Sequence, residues 1–372
     1  GNMNVIELTQ ALVRQPSVSR WSNVAITDYL EEQLRGLECQ IERLEYTDPE
    51  GERKASLVAK LGQGSGGLAF CSHSDTVPGQ EEDWDPFDPR IDGELMYGRG
   101  SADMKGPLAA TIIAASQIDP GKLKKPVYIV ITSDEETGLI GARYVKDHSQ
   151  MLRGGRPEWG IIAEPTKMIP VYAHKGYAEV KVTALGEAAH TSTDKGISAT
   201  FLLAPFMAEI AQLAADTKKD PLYMNPEFDP PTNGFNITVD DGNCATNVTS
   251  PKTTCTITFR TMPEARSDEI LEQIVGRAEH YGFATETIYA EALFVPKDSR
   301  LVEECLRLTG LPKAETVPYG TDGAELREVI DQLVIMGPGD IQVAHRVNEN
   351  VPLAELHQAV DVYRQLIESL CY

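Results

Sequence analysis

Acids and imidazoles recur in this chain just beyond short, continuously apolar runs. Residues 68–71 run into Ser72-His73-Ser74-Asp75, residues 127–132 into Ser133-Asp134-Glu135-Glu136, and residues 159–163 into Glu164. Residues 332–336 lead through Gly337-Pro338-Gly339 to His345. Imidazole suits a zinc ion, and carboxylates suit it at a hard catalytic centre. His73 and Asp75 lie two apart, so in extended backbone they face the same way. Asp75 can then hydrogen-bond the ring nitrogen that a metal leaves free. Glu135 and Glu136 are neighbours and point differently, so one can bind a metal while the other faces a bound water. With Asp103 and Glu164 added, this many like charges in one place call for a cation. Singly, each residue has an ordinary explanation. A lone His-x-Asp is usually a hydrogen-bonded surface pair, and an Asp-Glu-Glu run suits a first helical turn. Glu164 before Pro165 can simply end a strand, and Asp103 in a Gly-rich loop can be a turn residue. The repetition of the pattern is what carries weight.

The elements that must hold these residues are legible around them. Residues 56–61, 68–71, 127–132 and 159–163 suit strands covered on both faces. Helical spacing of Val5, Leu8 and Leu12 stops before Pro16, a second helix spans 22–36, and a third spans 106–118 with Pro107 in its first turn. This alternation predicts an α/β fold with an open, mainly parallel sheet. In such a sheet ligands bind outside the carboxyl ends of the strands. The middle of the chain reads differently. Ala178, Val180, Val182 and Ala184 alternate with Glu179, Lys181 and Thr183, and Cys255, Ile257 and Phe259 alternate with polar residues. Period-two alternation predicts antiparallel strands with one wet face. Helices over 198–216, where Pro205 predicts a kink or a late start, and over 267–281 complete an α+β unit. The buried-strand texture returns at 332–336, and an amphipathic helix over 353–370 follows. The order predicts an inserted domain, residues 175–291, within a split α/β domain of residues 1–174 and 292–372.

The chain has 372 residues, which favours two domains over one core. A formal charge of -22 argues against nucleic acid or an anionic membrane as the main partner. No run approaches the length of a membrane span, and no signal segment is expected at the start. The six cysteines, Cys39, Cys71, Cys244, Cys255, Cys305 and Cys371, lack any C-x-x-C pair. They read as reduced thiols rather than disulfides or a structural zinc site. A cytoplasmic protein with a small-molecule substrate is expected.

The stretches His73-Ser74-Asp75, Gly98-Arg99-Gly100-Ser101-Ala102-Asp103-Met104-Lys105-Gly106, Asp134-Glu135-Glu136-Thr137-Gly138 and Ala163-Glu164-Pro165-Thr166 carry a resemblance. Together they resemble the signatures of the zinc amidohydrolase and metallopeptidase family of acetylornithine deacetylase, succinyl-diaminopimelate desuccinylase, aminoacylase and carboxypeptidase G. The resemblance implies a split, exopeptidase-like catalytic domain with two zinc ions, and an inserted domain acting as lid and homodimer interface. It implies His73 and Glu164 on one ion, Glu136 and His345 on the other, and Asp103 bridging both. Asp75 would orient His73, and Glu135 would be the general base. Two ions about 4 Å apart can activate a water and polarise an amide carbonyl. Glu135 would carry the water's proton to the leaving amine.

His190, within Ala188-Ala189-His190-Thr191-Ser192, resembles the inserted-domain histidine that helps stabilise the oxyanion, often across a dimer; composition alone reads it as a loop histidine. Asn247 and Arg260 match positions associated with the substrate carboxylate, which the Arg fork binds bidentately. Gly320-Thr321-Asp322-Gly323 resembles a substrate loop, and domain closure would bring His190 and Arg260 to the metals. The implied activity is hydrolysis of the amide bond of a small N-acyl amino acid, acetylornithine deacetylase-like or desuccinylase-like. A dipeptidase or carboxypeptidase of the same family is the alternative. Glu164 resembles the deacylases, and Gly337-Pro338-Gly339 looks like acetylornithine deacetylase. Arg346-Val347-Asn348-Glu349 is closer to the desuccinylase, and Thr193-Asp194-Lys195 departs from the usual continuation after His190. Cobalt or manganese can use similar ligands. A binding protein without catalysis fits less well, because Glu135 and the full ligand set are present.

Overall fold

The computed structural model describes residues 2–372, and among these the strands gather into a nine-stranded, a four-stranded and a three-stranded sheet. The chain divides into two compact units. The first comprises the chain up to Ala173 with Phe294–Glu315 and Thr321–Tyr372; the second comprises His174–Leu293 with Thr316–Gly320.

The large sheet contains β1 (Gln40–Thr47), β2 (Arg53–Leu61), β3 (Leu68–His73), β4 (Val127–Thr132), β5 (Trp159–Ile162) and β6 (Gln332–Ile335). Their order is β1-β2-β4-β3-β5-β6, with Val171–His174 next to β6. The pairs β4–β3, β3–β5 and β5–β6 are parallel, while β1–β2 and β2–β4 are antiparallel. The mainly parallel centre is therefore four strands wide. β2 has the same apolar texture as its neighbours but runs against both β1 and β4. Burial on both faces is what the texture reports, and it does not depend on strand direction. β3, β4 and β5 are buried along their whole lengths. The helix Gly106–Ser116 packs on β3, β4 and the helix Leu353–Cys371, while Val24–Arg35 and Ile140–His148 pack on β1 and β2.

In the second unit the sheet order is Asn236–Asp240, Lys252–Phe259, Tyr177–Leu185, Ala284–Ala290, with antiparallel neighbours. Period-two alternation places Ala178, Val180, Val182 and Ala184 beside Cys255, Ile257 and Phe259 in one core. Leu203, Phe206 and Ile210 from Ala199–Lys219 and Ile270, Ile274 and Ala278 from Ser267–His280 complete it. The first of these helices does not start late. It begins before Pro205, where the Ser198 side chain accepts the Phe201 N–H, so capping fixes its start. Among the described residues no helix is long and apolar enough to cross a membrane.

Candidate metal centre

Four parallel strands end on one edge, and each delivers a polar side chain there. His73 closes β3, Glu135 and Glu136 follow β4, Glu164 follows β5, and the segment after β6 reaches His345. Asp103 comes from the turn before Gly106–Ser116, next to a cis Asp103–Met104 peptide. His73 Nε2 lies 2.9 Å from Glu164 Oε1, 3.0 Å from Asp103 Oδ1 and 3.5 Å from Glu135 Oε2. His345 Nε2 lies 3.0 Å from Asp103 Oδ2 and 3.1 Å from Glu136 Oε1. Asp103 thus gives one oxygen to each imidazole. His345 is exposed; Asp103, His73 and Glu164 are buried.

Hydrogen bonding alone does not account for this arrangement. An imidazole nitrogen has at most one proton to donate, yet three carboxylate oxygens surround His73 Nε2. Ligand atoms of His73, Glu135 and Glu164 lie within 4.8 Å of one another, as do those of His73, Asp103 and Glu136. These two groupings cut across the division drawn from the sequence, since Glu135 joins one and His73 enters both.

The electrostatics point the same way. Burial and the neighbouring Asp103 raise the Glu136 pKa to about 7 and that of Glu164 to about 8. Hydrogen bonds to Asp103 and Glu136 raise that of His345 to about 10. For Asp103, burial pushes upward, but hydrogen bonds with His345 and His73 outweigh it and hold the carboxyl well below its usual range. A donor set of imidazoles and carboxylates without thiolate fits a divalent ion such as zinc, cobalt or manganese.

Asp75 organises the cluster from behind. Its Oδ1 is 3.2 Å from His73 Nδ1, and its two oxygens accept the Glu135 and Glu136 N–H groups, each at 3.1 Å. Ser19 Oγ donates to Asp75 Oδ2 at 2.5 Å. Asp75 therefore fixes the His73 ring, whose Nδ1 is 2.9 Å from the Asp75 backbone carbonyl, while its carboxylate fixes the backbone of both glutamates. Deeper still, Lys54 Nζ pairs with Asp134 Oδ1 at 2.6 Å and also donates to the Ser19 carbonyl. Tyr46 OH donates to Asp134 Oδ2 at 2.5 Å. Sequence reasoning missed Ser19, Lys54 and Tyr46. Lys54 lies beside Arg53 at the start of β2, outside the apolar run 56–61, so nothing in the sequence marked it. Both members of the Lys54–Asp134 pair are almost fully buried, so removing one strands the other charge. Lys54→Met is expected to cost about 3–5 kcal/mol of folding stability. Urea titration measures this, and a loss under about 1 kcal/mol would show the pair dispensable.

The remaining residues singled out from the sequence fall in two places. In the second unit, exposed His190 has Nε2 3.4 Å from Asn247 Nδ2 and Nδ1 2.7 Å from Ser192 Oγ. Arg260 lies with its guanidinium 5.3 Å from the Tyr177 ring centroid, and burial lowers its pKa. A Cβ on Gly320 would sit 4.0 Å from Arg260 Nη1. The structure thus brings His190 to Asn247 and Gly320 to Arg260. Thr321 belongs to the first unit, where it is buried and its hydroxyl accepts the Gly323 N–H at 3.0 Å.

Fold and cluster together define a metal-dependent hydrolase. Residues 69–369 match Peptidase family M20/M25/M40, and the chain belongs to that family. It is 32% identical to acetylornithine deacetylase of Photorhabdus laumondii, over 98% of this chain and 97% of that protein. It is 33% identical to acetylornithine deacetylase of Proteus mirabilis, over 98% and 96%. Among solved structures, the M20 family metallo-carboxypeptidase Sso-CP2 from Sulfolobus solfataricus has a TM-score of 0.76 at 17% identity, covering 99% of both chains. A dinuclear metal-binding M20 peptidase from Bacillus subtilis has a TM-score of 0.63 at 18% identity, covering 98% of both.

Proposed function

We propose that the chain is a two-metal deacylase that hydrolyses the amide bond of a small N-acyl amino acid, of the acetylornithine or succinyl-diaminopimelate kind. The observation that carries this reading is Asp103, whose two oxygens each face a different imidazole at 3.0 Å. His73 and Glu164 would hold one zinc ion, Glu136 and His345 the other, with Asp103 shared. Bound there, two divalent ions supply Lewis acidity to the amide carbonyl and lower the pKa of water. Glu135 takes the water's proton and passes it to the leaving nitrogen as the C–N bond breaks, giving a carboxylate and an amine. Asp75 keeps His73 Nδ1 engaged so that Nε2 faces the cluster. His190 donates a hydrogen bond to the developing oxyanion. Arg260 and Asn247 receive the substrate carboxylate, and Gly320 and Thr321 belong to a substrate loop.

The identity of 32% and 33% to acetylornithine deacetylases, over 98% of the chain, favours the deacylase over a dipeptidase or carboxypeptidase. A cytoplasmic setting agrees with the cysteines, which form no disulfide among the described residues. A homodimer through the second unit agrees with the exposure of Leu185 and Phe201 there. The test is a panel of N-acetyl amino acids, N-succinyl amino acids and dipeptides, assayed on zinc-loaded protein with chelated protein as control. We expect kcat/KM for the best N-acyl substrate to exceed that for any dipeptide by at least about tenfold. A dipeptide preference would replace the reading with the peptidase one. Full metal loading with no hydrolysis of any class would overturn it.

A further inference from the structure

The turn that carries Asp103 is gripped by a buried pair outside the cluster. Arg99 is four residues before Asp103, Glu349 is four residues after His345, and both side chains are almost completely buried. Glu349 Oε1 accepts from Arg99 Nη1 at 3.0 Å and from the Gly100 N–H at 3.1 Å. Its Oε2 accepts from the Ala102 N–H at 3.1 Å and the Asp103 N–H at 2.9 Å. One carboxylate thus holds three backbone amides of the turn, ending on Asp103 itself.

Arg99 spends its remaining donors on neighbouring chain. It donates to the Arg346 and Pro78 carbonyls and to Gln80 Oε1, each at 3.0 Å. The Gly98 N–H donates back to the Glu349 carbonyl at 2.9 Å. The segment that carries His345 and the turn that carries Asp103 are therefore tied together by charge-assisted bonds, which are stronger than neutral ones. His73 and Glu164 come from β3 and β5, and His73 is set by Asp75. The grip thus acts on one side of the cluster.

We propose that Glu349, locked by Arg99, is a positioning residue that sets Asp103 against His345 and governs affinity for the ion these two share. The inference rests on the two-metal reading and adds to it a division of labour. The ion near His73 and Glu164 keeps two ligands outside the grip. The ion near His345 keeps only Glu136.

The test uses the full-length protein with zinc as probe, comparing wild type, Glu349→Gln and Arg99→Lys. Gln keeps the shape of Glu349 but loses its charge and turns an amide NH2 toward backbone donors. Lys retains charge but cannot reach all of the Arg99 acceptors at once. Competition with a chromophoric chelator gives both zinc affinities, and thermal melting reports stability. Wild type should bind two ions. In Glu349→Gln one of the two zinc affinities should fall about 10–100-fold while the other changes much less. Arg99→Lys should lose less, in the same order. Leu30→Ala, on the buried face of the helix Val24–Arg35, should lower the melting temperature and leave both affinities alone. Unchanged affinities, or equal weakening of both ions, would overturn the inference while leaving the two-metal reading intact. If Glu349→Gln does not fold, Arg99→Lys decides by the same criterion. Wild type binding fewer than two ions would remove the two-metal reading and this inference with it.

Discussion

Glu135→Gln is expected to retain both metal ions and to lower kcat by about 10²–10⁴-fold. The geometry separates Glu135 from its acidic neighbours. Its Oε2 is 3.5 Å from His73 Nε2, whereas Glu164 and Asp103 approach the same nitrogen to 2.9 and 3.0 Å. Its backbone N–H is pinned on Asp75, and its side chain stands farther from His73 Nε2 than Asp103 and Glu164 do. Burial and the neighbouring carboxylates raise its proton affinity well above that of an ordinary glutamate, which suits a group that must take a proton and give it back. Glutamine fills the same space and cannot accept that proton. KM should change little, because the lost interaction is made in the transition state. Steady-state kinetics with metal content by elemental analysis checks the expectation. Loss of one metal equivalent would make Glu135 a ligand, as its compact grouping with His73 and Glu164 allows. An undiminished kcat would remove it as the base.

The cluster was legible because its members follow the strands whose burial is easiest to read. β3, β4 and β5 are apolar throughout, so the first acid or imidazole after each run stands out, and parallel pairing puts those ends on one edge. β1 was not legible. Gln40–Thr47 is an edge strand with most of its side chains at least partly exposed, and its polar residues carry no burial signal. Asn236–Asp240 and Ala284–Ala290 flank the other sheet and escape notice for the same reason.

The supporting residues were hidden differently. Ser19 reaches Asp75 across 56 positions, Lys54 reaches Asp134 across 80, and Arg99 reaches Glu349 across 250. No spacing rule connects residues so far apart, and several of their partners are backbone groups that any sequence would supply. Arg99 and Glu349 stood inside stretches already noted for their family resemblance. In the sequence nothing distinguishes an arginine that holds a turn from one that faces solvent. Types and strand ends pointed to the cluster; the tertiary contacts supplied what orients it.

Stripping the metals with a chelator is expected to reduce hydrolysis to background and to make stability fall as pH rises, an effect the metal-loaded protein should not show. Glu136 and Glu164 are raised to about 7 and about 8 in the folded, metal-free chain, against about 4.3 for an unfolded glutamate. The folded state therefore holds their protons more tightly than the unfolded state does. Their contribution to stability is fully present below the unfolded pKa and disappears as pH rises through about 7 and about 8. His345, raised to about 10 by Asp103 and Glu136, acts in the same direction. Its stabilising charge is present below the unfolded imidazole pKa and is lost toward the folded value, discounted for its exposure. Asp103 and Asp75 are lowered instead, so their contributions are lost as pH falls, below the usual aspartate range and outside this window. From pH 5 to 9 the shifted groups of the cluster therefore act together, and the chelated protein should lose on the order of a few kcal/mol. Bound cations neutralise the carboxylates and compete for the imidazoles, so binding releases protons and the gap between loaded and stripped protein widens with pH. Denaturant titrations of both forms at pH 5, 7 and 9 measure that gap. A gap that is constant or narrows with pH would mean that protonation of these acids is not what balances the cluster when metal is absent.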